Sequence, residues 1–506
     1  MNIIFVTMGA IYTPYFEVYK NLEADIDNIG FYTSDKFHFE KNLKKDSKVK
    51  YLKEWELTEQ LANIKIDKRL IEKFEKKYFS NESIWNAMSN DRRIFQGKYA
   101  KYTQNYKSNY NYDEMLRLFQ VFTLNIESFI EDIRPDIVIG MGQGTIGDYL
   151  FYKIAKAKKI KFFALKSVKN GNYQTLTDSI GEEHKAIRES FDEYLGGKQV
   201  EAEVQLEVSK YMQIIGKGVI PYEGNVAIPR KNKIFKKNDL VNYAKYIVKD
   251  VIFAFKKRDH HSQSFYSLTY FYNNTYKNYR TSQLRKITKG RTIYELDKIK
   301  NGHYIFFPLH AEPEISLTNY AKFYQNQIEV IRNIGLQLPS KYKLIVKEHP
   351  RNIGRRSPGY YKKILEIPNV DFVDFELPSV EVLKRSKLVI VLSGNIGYEA
   401  VLSKIPVITL GSTMYNMLPK TMVNHLDGIK DIYTEIDSTI ENYRWSGDIF
   451  EKYICAIIKN SFPLDLYTVL LRKEGREGGS KFNKKEYKDN IDILTENIYK
   501  KFTNRN

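Results

Sequence analysis

Cysteine is almost absent from this chain: Cys455 is the one such residue in 506. That excludes a disulfide framework and a cysteine-ligated metal site, and it suits a reducing compartment. Long apolar runs are missing as well. No stretch approaches the roughly 18 consecutive apolar residues that a membrane-spanning helix needs. The opening residues, MNIIFVTMGAIYTPYF, lack the basic leader and extended apolar centre of a secretory signal and read as a first strand with its loop. The expectation is a soluble cytoplasmic protein.

Acidic residues are in deficit, 61 Asp and Glu against 80 Lys and Arg, for a formal net charge of +19. The excess is concentrated: residues 230–300 hold 18 Lys and Arg against 5 Asp and Glu, a net +13. Aromatic residues crowd the same stretch, as in SFYSLTYFYNNTYKNYR. Three surroundings fit this composition. Nucleic acid, the least favoured, would meet it through phosphate neutralisation and base stacking. An anionic membrane surface would attract it at about 1 kcal/mol per cation, with aromatics at the headgroups, and would place the protein peripherally on the inner face of the cytoplasmic membrane. Water alone would suit a solvated helical insertion.

What is present is ample apolar material, 42% of residues with 39 tyrosines, in a chain too long for one core. Patterning divides it into an N-terminal unit at 1–215, the basic aromatic-rich segment 216–302, a C-terminal unit at 303–470 and a basic helical tail at 471–506. In the first unit, RPDIVIGMGQGTIGDYLFYKIAKAKKIKFFAL reads as strand, glycine turn, amphipathic helix and strand. In the second, strands over 304–308, 342–347, 370–373, 387–392 and 405–409 alternate with helices near 317–337, 359–366, 379–385 and 396–403. Such alternation predicts an α/β chain of two doubly wound parallel sheets, two Rossmann-like domains facing a cleft.

Residues with chemistry crowd the carboxyl ends of the second unit's strands, where open α/β sheets hold ligands. FFPLHAEPE leaves His310, Glu312 and Glu314 beyond one strand, and LIVKEHPRNIGRR leaves Lys347, Glu348, His349, Pro350 and Arg351 beyond the next, with Arg355 close behind. LVIVLSGNIGYEA turns through Ser393, Gly394 and Asn395 into a helix that carries Glu399, and ITLGSTMY adds a further glycine turn. Small residues before a helix let a phosphate approach backbone N–H groups, and the helix dipole favours its charge. Glu399 could accept from ribose hydroxyls, and Glu348 could orient His349, touch the ribose or form a strand-end salt bridge. A nucleotide is the natural guest.

The segments FPLHAEPEISL, NQIEVIRNIGLQLPSKYKLIVKEHPRNIGRR, YYKKILEIPNVDFV and SGNIGYEAVLSKIPVITLG resemble the bacterial capsule polysaccharide biosynthesis family, which includes Kdo transferases. The resemblance spans about 303–415, touches the first unit only through PDIVIGMGQG, and leaves 216–302 without a counterpart. It implies a metal-independent glycosyltransferase of the GT-B type, with 1–215 as acceptor domain and 303–470 as nucleotide-donor domain. Carried over, His349 would be the partner of the leaving phosphate and Ser393 with Gly394 its turn, Gly394 replacing one serine of a family pair. The donor implied is a nucleotide-sugar, a CMP-ulosonic acid such as CMP-Kdo, with no cofactor and no metal. The acceptor implied is lipid-linked or an oligosaccharide. For the acceptor's base or nucleophile the candidates are Asp148, one turn beyond Gln143, and Glu17. Three alternatives stay open: a nucleotide-sugar epimerase of the same fold, a cytidine-nucleotide-dependent transferase of a non-sugar group, and a non-enzymatic capsule assembly or nucleic-acid-binding protein.

Overall fold

A computed structural model describes residues 1–42, 46–80, 82–97, 107–142, 144–182, 184–216, 239–256, 265–299, 303–472 and 483–503. Two seven-stranded sheets organise them. The first contains β1 (Asn2–Thr7), β2 (Asn28–Thr33), β3 (Val49–Lys53), β4 (Ile137–Gly140), β5 (Lys161–Ser167) and β6 (Tyr173–Thr177). The second contains β7 (Thr292–Ile293), β8 (Tyr304–Pro308), β9 (Lys343–Lys347), β10 (Val370–Val373), β11 (Leu388–Val391), β12 (Val407–Thr409) and β13 (Val423–His425). A last short strand, β14 (Phe462–Pro463), pairs antiparallel with β6 and so returns the chain to the first sheet. The α/β expectation of two Rossmann-like halves holds.

The strand sequences explain the arrangement. IIFV in β1, IVIG in β4, LIV in β9 and LVIV in β11 are continuous apolar runs, and each of these residues is buried. Strands buried on both faces need helices above and below, which parallel crossovers provide. In the second sheet every pairing is parallel, in the order β13-β12-β11-β8-β9-β10-β7. The order reverses direction between β8 and β11, and in the first sheet between β1 and β4. At such a reversal the flanking crossovers leave on opposite faces, and a crevice opens beyond the strand ends.

Two segments depart from the expected pattern. The helix expected near 317–337 is broken into Ile315–Thr318 and Gln327–Leu336. Between them the carbonyl of Tyr320 accepts the Ser412 N–H at 2.8 Å, and the Tyr320 hydroxyl reaches Lys166 of β5 at 3.4 Å, contacts a continuous helix would not allow. The unit expected at 303–470 gives way sooner, since Phe462 and Pro463 already belong to the first sheet and Leu464 N–H donates to the Asn172 carbonyl at 3.0 Å. A two-residue strand carries no periodicity that sequence reading could detect. Beyond it, helix Lys484–Thr503 buries Tyr487, Ile491, Leu494 and Ile498 in the same core as Tyr15 and Tyr19 of the first half.

The expected basic segment 216–302 contains three described helices, Asp239–Lys256, Tyr266–Phe271 and Lys277–Thr288. Its remaining parts at 217–238, 257–264 and 300–302, with Lys257 and Arg258, lie outside the described residues. No helix among the described residues is long and apolar enough to cross a membrane.

Close packing behind the second sheet generates a test. A Cβ on Gly397 would overlap the Tyr415 hydroxyl and stand 2.9 Å from Val391 Cγ2. Gly397→Ala should therefore destabilise the protein by about 1–3 kcal/mol through overpacking. Chemical denaturation should show a lower midpoint with an unchanged slope.

Candidate functional site

The crevice of the second sheet opens between the ends of β8 and β11, and His310 bridges it. Its Nε2 lies against the Ser393 carbonyl and 3.2 Å from the Ser393 backbone nitrogen, while its own N–H donates to Gln327 Oε1 at 2.7 Å. Burial pushes the His310 imidazole down to about 4. The candidate donor ligand His310 is thus a neutral tie that sets the position of the 393–394 turn. Gly394 follows with φ +99°, and a Cβ there would stand 3.4 Å from His310 Nε2. The Tyr415 hydroxyl donates to the Gly394 carbonyl at 2.8 Å, and Ser393 Oγ donates to the Ser316 carbonyl at 3.1 Å. With the serine hydroxyl so engaged, the turn can offer an anion the first-turn N–H groups of helix Asn395–Leu402.

Beside this turn stands a buried charge network that sequence reading did not resolve. Arg356, with its side chain fully inaccessible, donates from Nη1 to both oxygens of Glu348 at 2.6 and 2.8 Å. Its Nη2 reaches the His310 carbonyl at 2.7 Å and Glu312 Oε1 at 3.2 Å. Glu348 also accepts from the Tyr361 hydroxyl at 2.7 Å and from the backbone N–H of His349 at 2.6 Å. Among the readings open for Glu348, the strand-end salt bridge is the one observed, and through the 349 amide it also orients the loop. Glu312 is similarly engaged, by Gln327 Nε2 as well as Arg356.

Held in this way, His349 presents a defined tautomer. Its Nδ1 accepts the Arg351 N–H at 3.1 Å, which places the ring proton on Nε2. Burial, reinforced by Arg351, His310, Arg356 and Lys347, pushes the imidazole down to about 3, so it is a neutral donor at ordinary pH. Pro350 opens the short turn Pro350–Asn352, whose N-terminal side His349 caps. Lys347 is buried, donates to the Phe375 carbonyl at 3.1 Å, and is pushed down to about 8 by burial against the opposing pull of Glu348, Asp374 and Glu399. Arg351 pairs with Glu314 at 3.3 Å. The structure thus collects Lys347, His349, Pro350, Arg351, Ser393, Gly394, Asn395 and Glu399 at the carboxyl edge of one sheet.

The candidates on the first half fare differently. Asp148 is buried, its carboxylate accepting the Thr145 hydroxyl at 3.0 Å while Thr145 Oγ1 caps the helix Ile146–Ala157. The expectation that Asp148 serves an acceptor meets a side chain inside the first half, close enough to Tyr15 to raise its hydroxyl's pKa. Glu17 stands near Tyr487 of helix Lys484–Thr503, and Gln143 lies outside the described residues.

Where the halves meet, a second group of charges appears that the sequence reading overlooked. Lys166 Nζ donates to the carbonyls of Ile180 and Gly181, each at 2.5 Å, and burial pushes it down to about 8. Buried Glu182 pairs with Lys169 at 3.4 Å, and the Asn319 amide crosses from the other half to the Ile180 carbonyl at 2.9 Å. Arg92, exposed beside Asp91, feels Glu314 and Arg355 across the same interface. In FALKSVKNG, Lys166 stands near the end of β5 and Lys169 just past it, a strand-end position that could have pointed to them.

Two Rossmann-like sheets, each with a crevice at its order reversal, define the class: a two-domain α/β protein whose charged side chains collect at strand ends. Residues 226–437 match the family described as capsule polysaccharide biosynthesis protein. The match begins at 226 and so takes in most of 216–302, where the sequence offered no counterpart. Capsule polysaccharide export protein KpsS of Escherichia coli is 22% identical over 160 residues, 29% of this chain and 40% of that protein, so the match spans less than half of its length. Among solved structures, the β-Kdo 2,7 transferase KpsC of Thermosulfurimonas dismutans has 10% identity and a TM-score of 0.34, covering 74% of this chain and 89% of its own. The UDP-GlcNAc 2-epimerase of Neisseria meningitidis has 15% identity and a TM-score of 0.25, covering 88% and 93%. Both likenesses are slight.

Two outcomes follow from this geometry. Arg356→Ala leaves Glu348 and Glu312 buried without their shared cation, and should cost about 3–5 kcal/mol of stability, read by denaturant unfolding. Arg356→Lys should not restore it, because an ammonium cannot reproduce the forked contacts. The buried histidines add a pH dependence. His310, held near 4 and neutral in the folded state, takes up a proton on unfolding at any pH between about 4 and 6.5. Its contribution is present in full above 6.5 and is lost as pH falls toward 4, at about 1.4 kcal/mol per pH unit. His349 and His184 act in the same direction. Unfolding free energies measured across that range should fall with acid, and His310→Gln should flatten the slope.

Proposed function

We propose that the chain is a glycosyltransferase of capsule or surface polysaccharide biosynthesis that takes its sugar from a nucleotide donor, a CMP-ulosonic acid such as CMP-Kdo. One observation carries the reading: a neutral His349 whose Nδ1 is held by the Arg351 N–H, leaving Nε2–H as a donor beside buried Lys347 on the same sheet edge as the Ser393–Gly394 turn. When the bond between the sugar and the phosphate oxygen breaks, negative charge grows on the nucleotide. A hydrogen-bond donor, an ammonium group and a helix N-terminus aimed at that edge stabilise the growing charge with little reorganisation, and no metal is required of them. The family match over 226–437 supports the same process. The acceptor is a lipid-linked or free oligosaccharide, and residues 230–300 hold the protein at an anionic membrane surface where such acceptors are made.

Thermal unfolding with CMP, UDP and related nucleotides tests the donor, since a ligand at 100 times its dissociation constant adds about 2.7 kcal/mol. Stabilisation by a cytidine nucleotide is expected; none by any nucleotide would sink the reading. His349→Ala should reduce transfer on the order of a hundredfold or more while preserving the fold. Wild-type turnover in that variant, or an epimerised donor formed without acceptor, would contradict the assignment.

A further inference from the structure

Helix Asp239–Lys256 is amphipathic in the opposite sense to a helix packed on a core. The face it turns toward its neighbours is polar and aromatic. Asn242 donates to the Tyr270 hydroxyl at 3.3 Å, and Tyr243 and Tyr246 pack against Phe271 and Tyr270 with ring centroids 6.1 and 5.1 Å apart. Asp250 accepts the N–H groups of Tyr266 and Ser267 at 2.7 and 2.8 Å. Its aliphatic face points away from the protein: Leu240 is 65% exposed, Val248 58%, Ile252 52% and Phe255 87%, with Val241, Ile247 and Val251 exposed beside them. At 100° per residue these side chains form one stripe along 18 residues, roughly 27 Å of helix. Exposed Lys245 and Lys249 border it on one side.

A contiguous apolar surface of this extent marks a contact site. Charge decides which contact. A second copy would bring two segments of net +13 together, and like-charge repulsion opposes that. An anionic bilayer instead neutralises the cations and accepts the aliphatic face, with lysines reaching to phosphate level. We infer that helix Asp239–Lys256 lies in the plane of an anionic membrane surface, with Leu240, Val248, Ile252 and Phe255 inserted at the boundary between headgroups and acyl chains. This rests on the peripheral location proposed above and is independent of the transfer reaction. The neighbouring helices carry the contact to the donor edge: the Tyr272 hydroxyl donates to the Ile353 carbonyl at 3.1 Å, and Arg280 Nη2 donates to the Arg356 carbonyl at 3.0 Å.

The test uses the full chain and vesicles of phosphatidylcholine with and without phosphatidylglycerol. Wild type should sediment with the anionic vesicles and stay largely bound as salt rises, because buried apolar area is not screened. Combined Val248→Ser, Ile252→Ser and Phe255→Ser should lower partitioning about a hundredfold or more with circular dichroism unchanged. Phe255→Trp should show blue-shifted emission quenched by brominated acyl chains. Equal partitioning of wild type and triple variant, both released by salt, would overturn insertion and leave only electrostatic adsorption. No sedimentation of wild type with either vesicle would overturn insertion and peripheral location together. Self-association lost in the triple variant, without vesicle binding, would assign the face to a second copy.

Discussion

The carboxyl edge of the second sheet depends on one buried cation. Arg356 stands between Glu348 at the end of β9 and Glu312 beyond β8, and it also donates to the His310 carbonyl. Each carboxylate alone would be costly so far from water, and each finds its compensation in the same guanidinium. Because the fork of N–H groups has fixed geometry, satisfying both carboxylates fixes the separation of the two strand ends. The His349 loop, whose first amide rests on Glu348, and the 393–394 turn, tied to His310, take their places from it.

The first half repeats the device with other residues. Arg93 pairs with Asp91 at 2.6 Å and Glu54 at 2.8 Å, Tyr32 hydrogen-bonds Glu54, and Asp91 accepts the Ile146 N–H at 3.0 Å where the helix after β4 begins. In both halves a buried arginine shared by two carboxylates braces the loops beyond the order reversal. Such pairs add little net stability compared with apolar packing, so their effect here is to specify where loops sit.

Much of this was legible in the sequence, for identifiable reasons. The strands at 304–308 and 370–373 and their neighbours were readable because continuous apolar runs bounded by helical periodicity have few other interpretations. The residues at the second sheet's edge followed from their positions just past those strands. Their partners did not. Among Arg351, Arg355 and Arg356, nothing in NIGRR says which enters the core, and the buried one was not among those singled out. His310 and Glu312 share a strand-end position with His349 yet serve as ties, a distinction set by Ser393 and Gln327, 83 and 15 residues further along. The interface charges Lys166 and Glu182 depend on how two halves meet, which no local pattern records. The apolar run in KDVIFAFKKRDHH was visible, but its outward direction comes from Tyr270 and Phe271 of the next helix, which occupy the other face.

β14 changes how the halves should be regarded mechanically. Because Phe462 and Pro463 re-enter the first sheet and helix Lys484–Thr503 packs in its core, the second sheet is spliced into the first half and not strung after it. The chain passes between them twice, once through the stretch leading to β7 and once through helix Gly447–Lys459, where Tyr453 meets Phe191 of the first half with ring centroids 5.8 Å apart. Two crossings leave fewer independent motions than one linker. Any relative motion of the halves is then confined to rotation about an axis near those crossings, and the side chains farthest from that axis would sweep the greatest distance for a given angle.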